Sequence, residues 1–476
     1  MSKAAVASQP YVGQRVNHPK RGLGEVVKIV RGGRQLLVRF QGAEAPWQLK
    51  ISELELLEPE IVPLPPPPVR LPTDPCPALQ TLEAFRLGVV PHEGTEWTTV
   101  GRDVELALVA NDLAEAAVHG SARVVLGDYG TGKTHLMECI EKMALEQNFL
   151  VTKVVLDRDQ VSPAHPKRVY RELVRRLIYP DDSDAFGLAP LFDKAIQQDL
   201  SSFLKRSDKA YHHYLSPTLA YYRELHGRES ETLAYLLDWI EGNSEVSNLE
   251  LEQNLRSLVG LRGHRFYALK DYRPWAHIYT YLVGGLAYLA KLSGYAGLVV
   301  LFDEAEFYSM LNQSGQTFAD LLFGYYCALS LGSEGVRFDL DRAKRGGHAV
   351  HQSFPPIYGE QHPVYCVFAM TSDPAGAHAL RSIVGTERMH ELRALSLADY
   401  QEMCRRVVDV YKVAHPEFSV GAEVQNPMGQ VVYRGVQGST LSNPRQVLKL
   451  IIEMLDFSRL RRDKIGEFVK EVLQVL

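Results

Sequence analysis

Val124-Val125-Leu126-Gly127-Asp128-Tyr129-Gly130-Thr131-Gly132-Lys133-Thr134 decides the fold. The first three residues read as a short apolar strand, and Gly127–Thr134 match the spacing GxxxxGK[ST] in full. Leu136, Met137, Ile140, Met143 and Ala144 then share one face of a helix. In this strand–loop–helix setting Gly127, Gly130 and Gly132 let the backbone curl with its N–H groups pointing inward. Those donors and the positive helix end cradle a β-phosphate. Lys133 is expected to reach the β- and γ-phosphates, and the Thr134 hydroxyl to ligate Mg²⁺. Asp128, Tyr129, Thr131 and His135 complete the segment expected to line ATP.

Hydrolysis needs a metal carboxylate on a neighbouring strand. Leu298-Val299-Val300-Leu301-Phe302 is apolar throughout, as a strand buried on both faces should be. It ends in Asp303-Glu304. Asp303 is placed to hold the Mg²⁺ shell, and Glu304 to act as general base on the attacking water. Glu306 lies further on and is not assigned as the base. A third strand, Tyr365–Met370, ends in Thr371-Ser372. Further on, Ser442-Asn443-Pro444-Arg445 opens a helix, with Pro in its first turn.

Strands alternating with helices imply a parallel α/β sheet. We place this core at 78–396, with helical insertions at 160–292 and 305–360 and a C-terminal helical part at 397–476. Its opening helix shows Leu79, Leu82, Phe85 and Leu87. Before it, residues 59–77 form a linker; eight prolines in 60–77 favour an extended spacer. Residues 9–58 alternate in strand fashion, with Gln14–Val16, Gly24–Val30 and Gln35–Phe40 punctuated by Gly22, Gly24, Gly32, Gly33 and Gly42. A small antiparallel barrel is expected there.

The net charge of −5 conceals an asymmetry: residues 1–42 carry +7 and the rest −12. A basic end on an acidic body suggests a polyanion partner. Two internal segments add to this. Residues 261–275 interleave Arg262, Arg265, Lys270 and Arg273 with Phe266, Tyr267, Tyr272 and Trp275, and residues 341–348 are a Gly-rich basic loop. DNA is therefore an expected partner. The five cysteines are scattered without a CxxC pair, which fits a reducing cytosol and excludes a disulfide framework. No apolar run of signal-peptide length opens the chain. Ile278–Leu292 with Leu298–Phe302 reads as core helix and buried strand, not as a membrane span. The expected location is cytoplasmic, with no membrane partner.

The ordered set Val100-Gly101-Arg102, LGDYGTGKTHLM (126–137), VVLFDEAE (299–306) and NPRQVLKL (443–450) resembles an AAA+ module. The resemblance covers about residues 95–457. It implies that Thr371, with Ser372 as the alternative, is the sensor that positions the lytic water. It also implies that Arg445 reaches the γ-phosphate from a helical lid, 397–476. Val100 and Arg102 would border the adenine. An arginine finger acting on a neighbouring subunit is implied at Arg388, with Arg393 second, and with it a homo-oligomer. EAFRLGVVP (83–91), residues 154–177 and GLVVLFDEAE (297–306) are similar to the ATP-binding proteins of BREX phage-exclusion systems, the BrxC/BrxD family, nearer BrxD in length. That family works beside other defence subunits, helicases, nucleases or methyltransferases among them. Separately, residues 12–29 with 36–40 resemble Tudor/SH3-like (CarD-like) modules, which bind proteins or nucleic acid. The resemblance implies an AAA+ ATPase acting with DNA in antiphage defence. A nucleotide-gated adaptor and an initiator- or transposition-type DNA loader stand as alternatives.

Overall fold

The structure is a computed structural model that describes residues 15–30, 35–40, 45–56, 71–91, 93–227, 231–243, 246–255, 265–343, 345–359, 363–441 and 443–475. Gln14, Gly32, Gly33, Gly42, the stretch 59–70 of the linker, Arg262, Lys344 and Ser442 lie outside the described residues. The chain divides into two units between Pro65 and Pro66.

The N-terminal unit is an antiparallel sheet of β1 (Arg15–His18), β2 (Gly22–Val30), β3 (Gln35–Phe40), β4 (Trp47–Lys50) and β5 (Glu55–Leu56), in the order β4-β3-β2-β1-β5. Val16, Val26, Leu36, Val38 and Phe40 form its core. Alternation along β3 puts these side chains on one face. Gly24 is required here, because a Cβ would sit 2.7 Å from both the Phe40 ring and Val38. Arg21 covers the exposed Trp47 ring at 3.6 Å.

The second unit is built on β6 (Ser121–Leu126), β7 (Leu150–Val155), β8 (Leu298–Asp303), β9 (Val364–Met370) and β10 (Met389–Glu391). All pairs are parallel and the order is β10-β6-β9-β8-β7. The sheet, flanked by helices, is a P-loop ATPase fold. Successive side chains of each strand face opposite layers. Val299, Leu301, Val367 and Ala369 pack against α2 (Asp103–Ala116) and α3 (Lys133–Glu146). Val300, Phe302, Cys366 and Phe368 face the other layer, which includes α4 (Pro166–Arg175), α5 (Ala276–Leu292) and α6 (Gln313–Leu331). Phe302 and Phe368 stack there at 4.8 Å. Because β8 is buried on both faces, its sequence is apolar from Leu298 to Phe302, up to the terminal Asp303.

A buried charge network fixes α2 to the sheet. Asp112 accepts from Arg123 Nη2 at 2.6 Å and from the Tyr365 hydroxyl at 2.8 Å. Removing one member of such a network leaves a buried charge unpaired, at a cost of about 3–5 kcal/mol.

The last helices, α7 (Leu397–Ala414), α8 (Ala422–Gln437), α9 (Pro444–Leu460) and α10 (Ile465–Val475), share a separate core. That core includes Ala78, Leu82 and Phe85 of the helix α1 (Pro75–Leu87). Arg86 pairs with Asp456 through two hydrogen bonds of 2.8 Å. The expected pattern for α1 is corrected in part: Leu79 and Leu87 are exposed, and Ala78 and Thr81 join Leu82 and Phe85 inside. The linker is also shorter than expected at its C-terminal end. Pro75 and Pro77 belong to the first turn of α1, where a missing N–H costs nothing. Asp74 caps the helix by accepting from Cys76 N at 2.9 Å. All five cysteines are free, and four are buried. Among the described residues no helix is long and apolar enough to cross a membrane.

Candidate nucleotide site

The loop after β6 curls as its glycines allow. Gly130 (φ 80°) and Gly132 (φ 100°) are left-handed, a region that costs a side-chain-bearing residue energy. Lys133 is buried and its ammonium folds back into the loop, donating to Gly127 O at 2.8 Å and Asp128 O at 3.2 Å. Thr131 closes the turn through its own hydroxyl on Asp128 O at 2.8 Å.

The Asp-Glu strand is not the direct neighbour of β6, contrary to expectation. β9 lies between them, and Met370 O at its end accepts from Gly127 N at 3.2 Å. This stations Thr371 where the loop begins, half-buried, with Ser372 exposed. Asp303 is buried and hydrogen-bonded to Thr134. Burial pushes its carboxyl up, against the pull of the Glu304 N–H, Lys153 and Thr134. A hydroxyl and a carboxylate side by side form the hard oxygen pair that suits Mg²⁺, which otherwise keeps waters and phosphate oxygens.

Glu304 is unusual in conformation and charge. It sits in the left-handed region at φ 58°, which is rare for Glu and clusters at functional sites. Burial, then the Glu306 and Asp303 carboxylates, push its pKa up to about 7. The Glu306 carboxylate, expected near the site but not as the base, is the largest influence on Glu304 after burial. Its signal was the two-residue spacing in Asp303-Glu304-Ala305-Glu306, read through a tight 3-10 turn.

One cavity joins these parts, with about 950 Å³ of space counting its open mouth. Gly130–His135, Glu304, Val100, Arg102 and Arg445 all line it. Val89, Val90, Leu395, Met403 and Leu448 supply an apolar end of the kind a base needs. Val89 and Val90 come from the turn after α1, within the stretch 83–91 whose resemblance carried no site residue.

Arg102 does more than border this end. Its guanidinium donates to Thr131 O at 2.6 Å and Arg393 O at 2.7 Å, and it pairs with Glu105 at 3.3 Å. It thus ties the phosphate loop to the segment leading into α7. His135 bonds the Thr99 hydroxyl at 2.8 Å; burial first, then Arg102, push its pKa down to about 4, so it is neutral at pH 7. Asp128 is exposed and offers the loop only its backbone.

Arg445 extends from the first turn of α9 to the loop. Its Nη1 donates to the Tyr129 hydroxyl at 2.7 Å, and its guanidinium lies 5.4 Å from the Tyr129 ring centre. Asn443 caps α9 and packs against Gly130, where a Cβ would meet it at 2.8 Å. Arg388 is not brought to this cavity. It makes a bidentate pair with Glu115 at 2.9 and 3.1 Å, beside Ser121 at the start of β6. Six residues of extended chain, roughly 20 Å, separate that end from the loop. Arg393 is exposed and donates to Gly101 O and Asp399 at 3.2 Å.

No curated protein matches the chain. Residues 77–216, which hold α1, the phosphate loop and β7, match the family model described as BREX system ATP-binding protein BrxC/D, so over its nucleotide-binding part this chain is similar to the BREX ATP-binding proteins.

Proposed function

We propose that the chain is a Mg²⁺-dependent ATPase of the AAA+ type, working as a homo-oligomer with DNA in BREX-like phage exclusion. The observation that carries this is the meeting of Lys133, Thr134, Glu304 and the helical arm's Arg445 in one cavity. In this reading Lys133 leaves its two carbonyls to hold the β- and γ-phosphates. Thr134 and Asp303 hold Mg²⁺, which when bound neutralises phosphate charge. Glu304 takes the proton of the water whose oxygen attacks the γ-phosphorus, while the bond to the ADP oxygen breaks. Thr371 orients that water, and Arg445 moves from Tyr129 to the γ-phosphate. Arg388 serves a neighbouring subunit's nucleotide only after releasing Glu115; Arg393 is the exposed alternative. The setting is cytoplasmic, beside other defence subunits.

A second reading, a nucleotide-gated adaptor that hydrolyses slowly, is favoured by the engagement of Arg388, the first finger candidate, with Glu115. ATPase rates with and without single- and double-stranded DNA, with mass measured in the ATP state, separate the two. DNA-stimulated turnover by an oligomer supports the first. Turnover that is slow and indifferent to DNA removes it.

A further inference from the structure

The two basic segments lie seventy residues apart in sequence and meet in the fold. Trp275 Nε1 donates to Gly346 O at 2.9 Å. A Cβ on Gly346 would fall 2.5 Å from the Tyr272 ring, and one on Gly347 2.6 Å from the Trp275 indole nitrogen. The glycines of the second loop are thus what let it lie flat on the aromatics of the first. We infer that Lys270, Tyr272, Arg273, Arg342, Arg345 and His348 form one contact face for a single nucleic-acid strand.

Three observations support this. First, the face is basic and open. Lys270, Arg273, Arg342 and His348 are exposed, and the Arg342 side chain is 90% so. The acids nearby do not cancel it. Asp271 is shared by His165 at 3.0 Å and Arg168 at 2.8 Å, and Arg273 donates to the other His165 nitrogen at 3.2 Å. With His165 accepting from Arg273, this cluster keeps a net positive charge. Asp339 meets Arg342 only at 3.4 Å on the surface, a weak pair. Asp341 is the remaining acid of the loop.

Second, His351 lies within this face, only 7% exposed, and neither of its ring nitrogens has a partner. Its ring stacks on Trp275 at 4.5 Å. A buried polar group without a partner is costly, and a phosphate oxygen would satisfy it. Burial first, then the charges of His348 and Lys270, hold its pKa below the usual histidine value. Both neighbours push the same way, as they do where positive potential is not balanced. Third, Tyr272 is 43% exposed among these cations. An open ring beside phosphate-binding charges favours a single strand, whose bases can stack, over an acidic protein.

The inference rests on the reading that the chain works with DNA. The test is fluorescence anisotropy of the full chain with a single-stranded DNA oligonucleotide over a series of salt concentrations. Lys270→Gln with Arg342→Gln should weaken binding at least about tenfold and reduce the salt slope by about 1.4, two single-strand phosphate contacts. ATP affinity should not change. Lys270→Arg with Arg342→Lys should restore the slope. His351→Phe keeps the ring on Trp275 and removes the unpartnered nitrogens, so it should weaken binding while thermal stability is kept or raised, and Tyr272→Leu should cost about tenfold. If the wild-type chain binds DNA and the double Gln variant binds it equally, with the same slope, this face is wrong while the DNA reading survives. If the wild-type chain binds no DNA, both fall. Polyglutamate bound as tightly, and lost in the same variants, would overturn nucleic acid in favour of an acidic protein.

Discussion

Between Gly127 and Thr134, eight consecutive residues make a site largely out of backbone, while around Trp275 a face is gathered from residues as far apart as His165 and His351. The first needs little from the rest of the chain beyond a strand before it and a helix after it. Its charged group, the Lys133 ammonium, is held by carbonyls of its own loop. The second depends on α4, α5 and the loop at 341–348 all being in place. The difference teaches that the cradle is a chemical device of local origin, and the insertion a device of packing.

Substitutions should behave accordingly. The largest effect is expected at Glu304→Gln, which removes the proposed general base. Turnover should fall by roughly 10²–10⁴ with ATP affinity kept, measured by steady-state phosphate release and calorimetric titration. Turnover that persists would strip Glu304 of this role and shift it to Glu306. Next, Lys133→Ala should weaken ATP binding roughly hundredfold, the scale of a buried charge-assisted hydrogen bond. Unchanged affinity would refute the cradle.

The smallest effect sharpens the other side. His212 stacks on Tyr281 at 4.0 Å, and its Nδ1 accepts from Tyr214 N and Leu215 N. Burial pushes its pKa down to about 3, from 6.5 in an exposed histidine. Between these values the unfolded chain binds a proton that the folded chain does not. Stability therefore falls as pH drops below about 6.5, by about 1.4 kcal/mol per unit for this one group. Urea denaturation at pH 7, 6 and 5 should show that slope, and His212→Gln should be less stable at pH 7 but less acid-sensitive. An identical slope in both proteins would show that other groups carry it.

The same contrast explains what could be read from the chain. The P-loop was legible because glycine spacing and a Lys-Thr pair encode backbone geometry directly. β8 was legible because burial on both faces leaves Leu298 to Phe302 without a polar residue before Asp303. β10, three residues long, left no period to detect, so Arg388 could not be tied to a strand beginning at Met389. Glu306 was passed over because the chain turns back at Glu304, a conformation the residue type does not announce. The meeting of residues 270–275 with 341–348 was hidden for a different reason: each segment names its chemistry but not its neighbour.

One feature of the helical arm bears on how motion would travel. α1 is spelled out well before the phosphate loop, yet Leu82 and Phe85 are packed with Val407, Tyr411 and Ile451, and Arg86 is clamped to Asp456. The arm is therefore stitched from both ends of this unit, with the ATP-binding sheet threaded between them. Any displacement of α9 would therefore reach α1 through this shared core and the Arg86–Asp456 pair. A chain shortened to begin at Val100 would keep every phosphate-binding residue and still lose one wall of the arm. It would be a cradle that can grip a nucleotide and no longer report it.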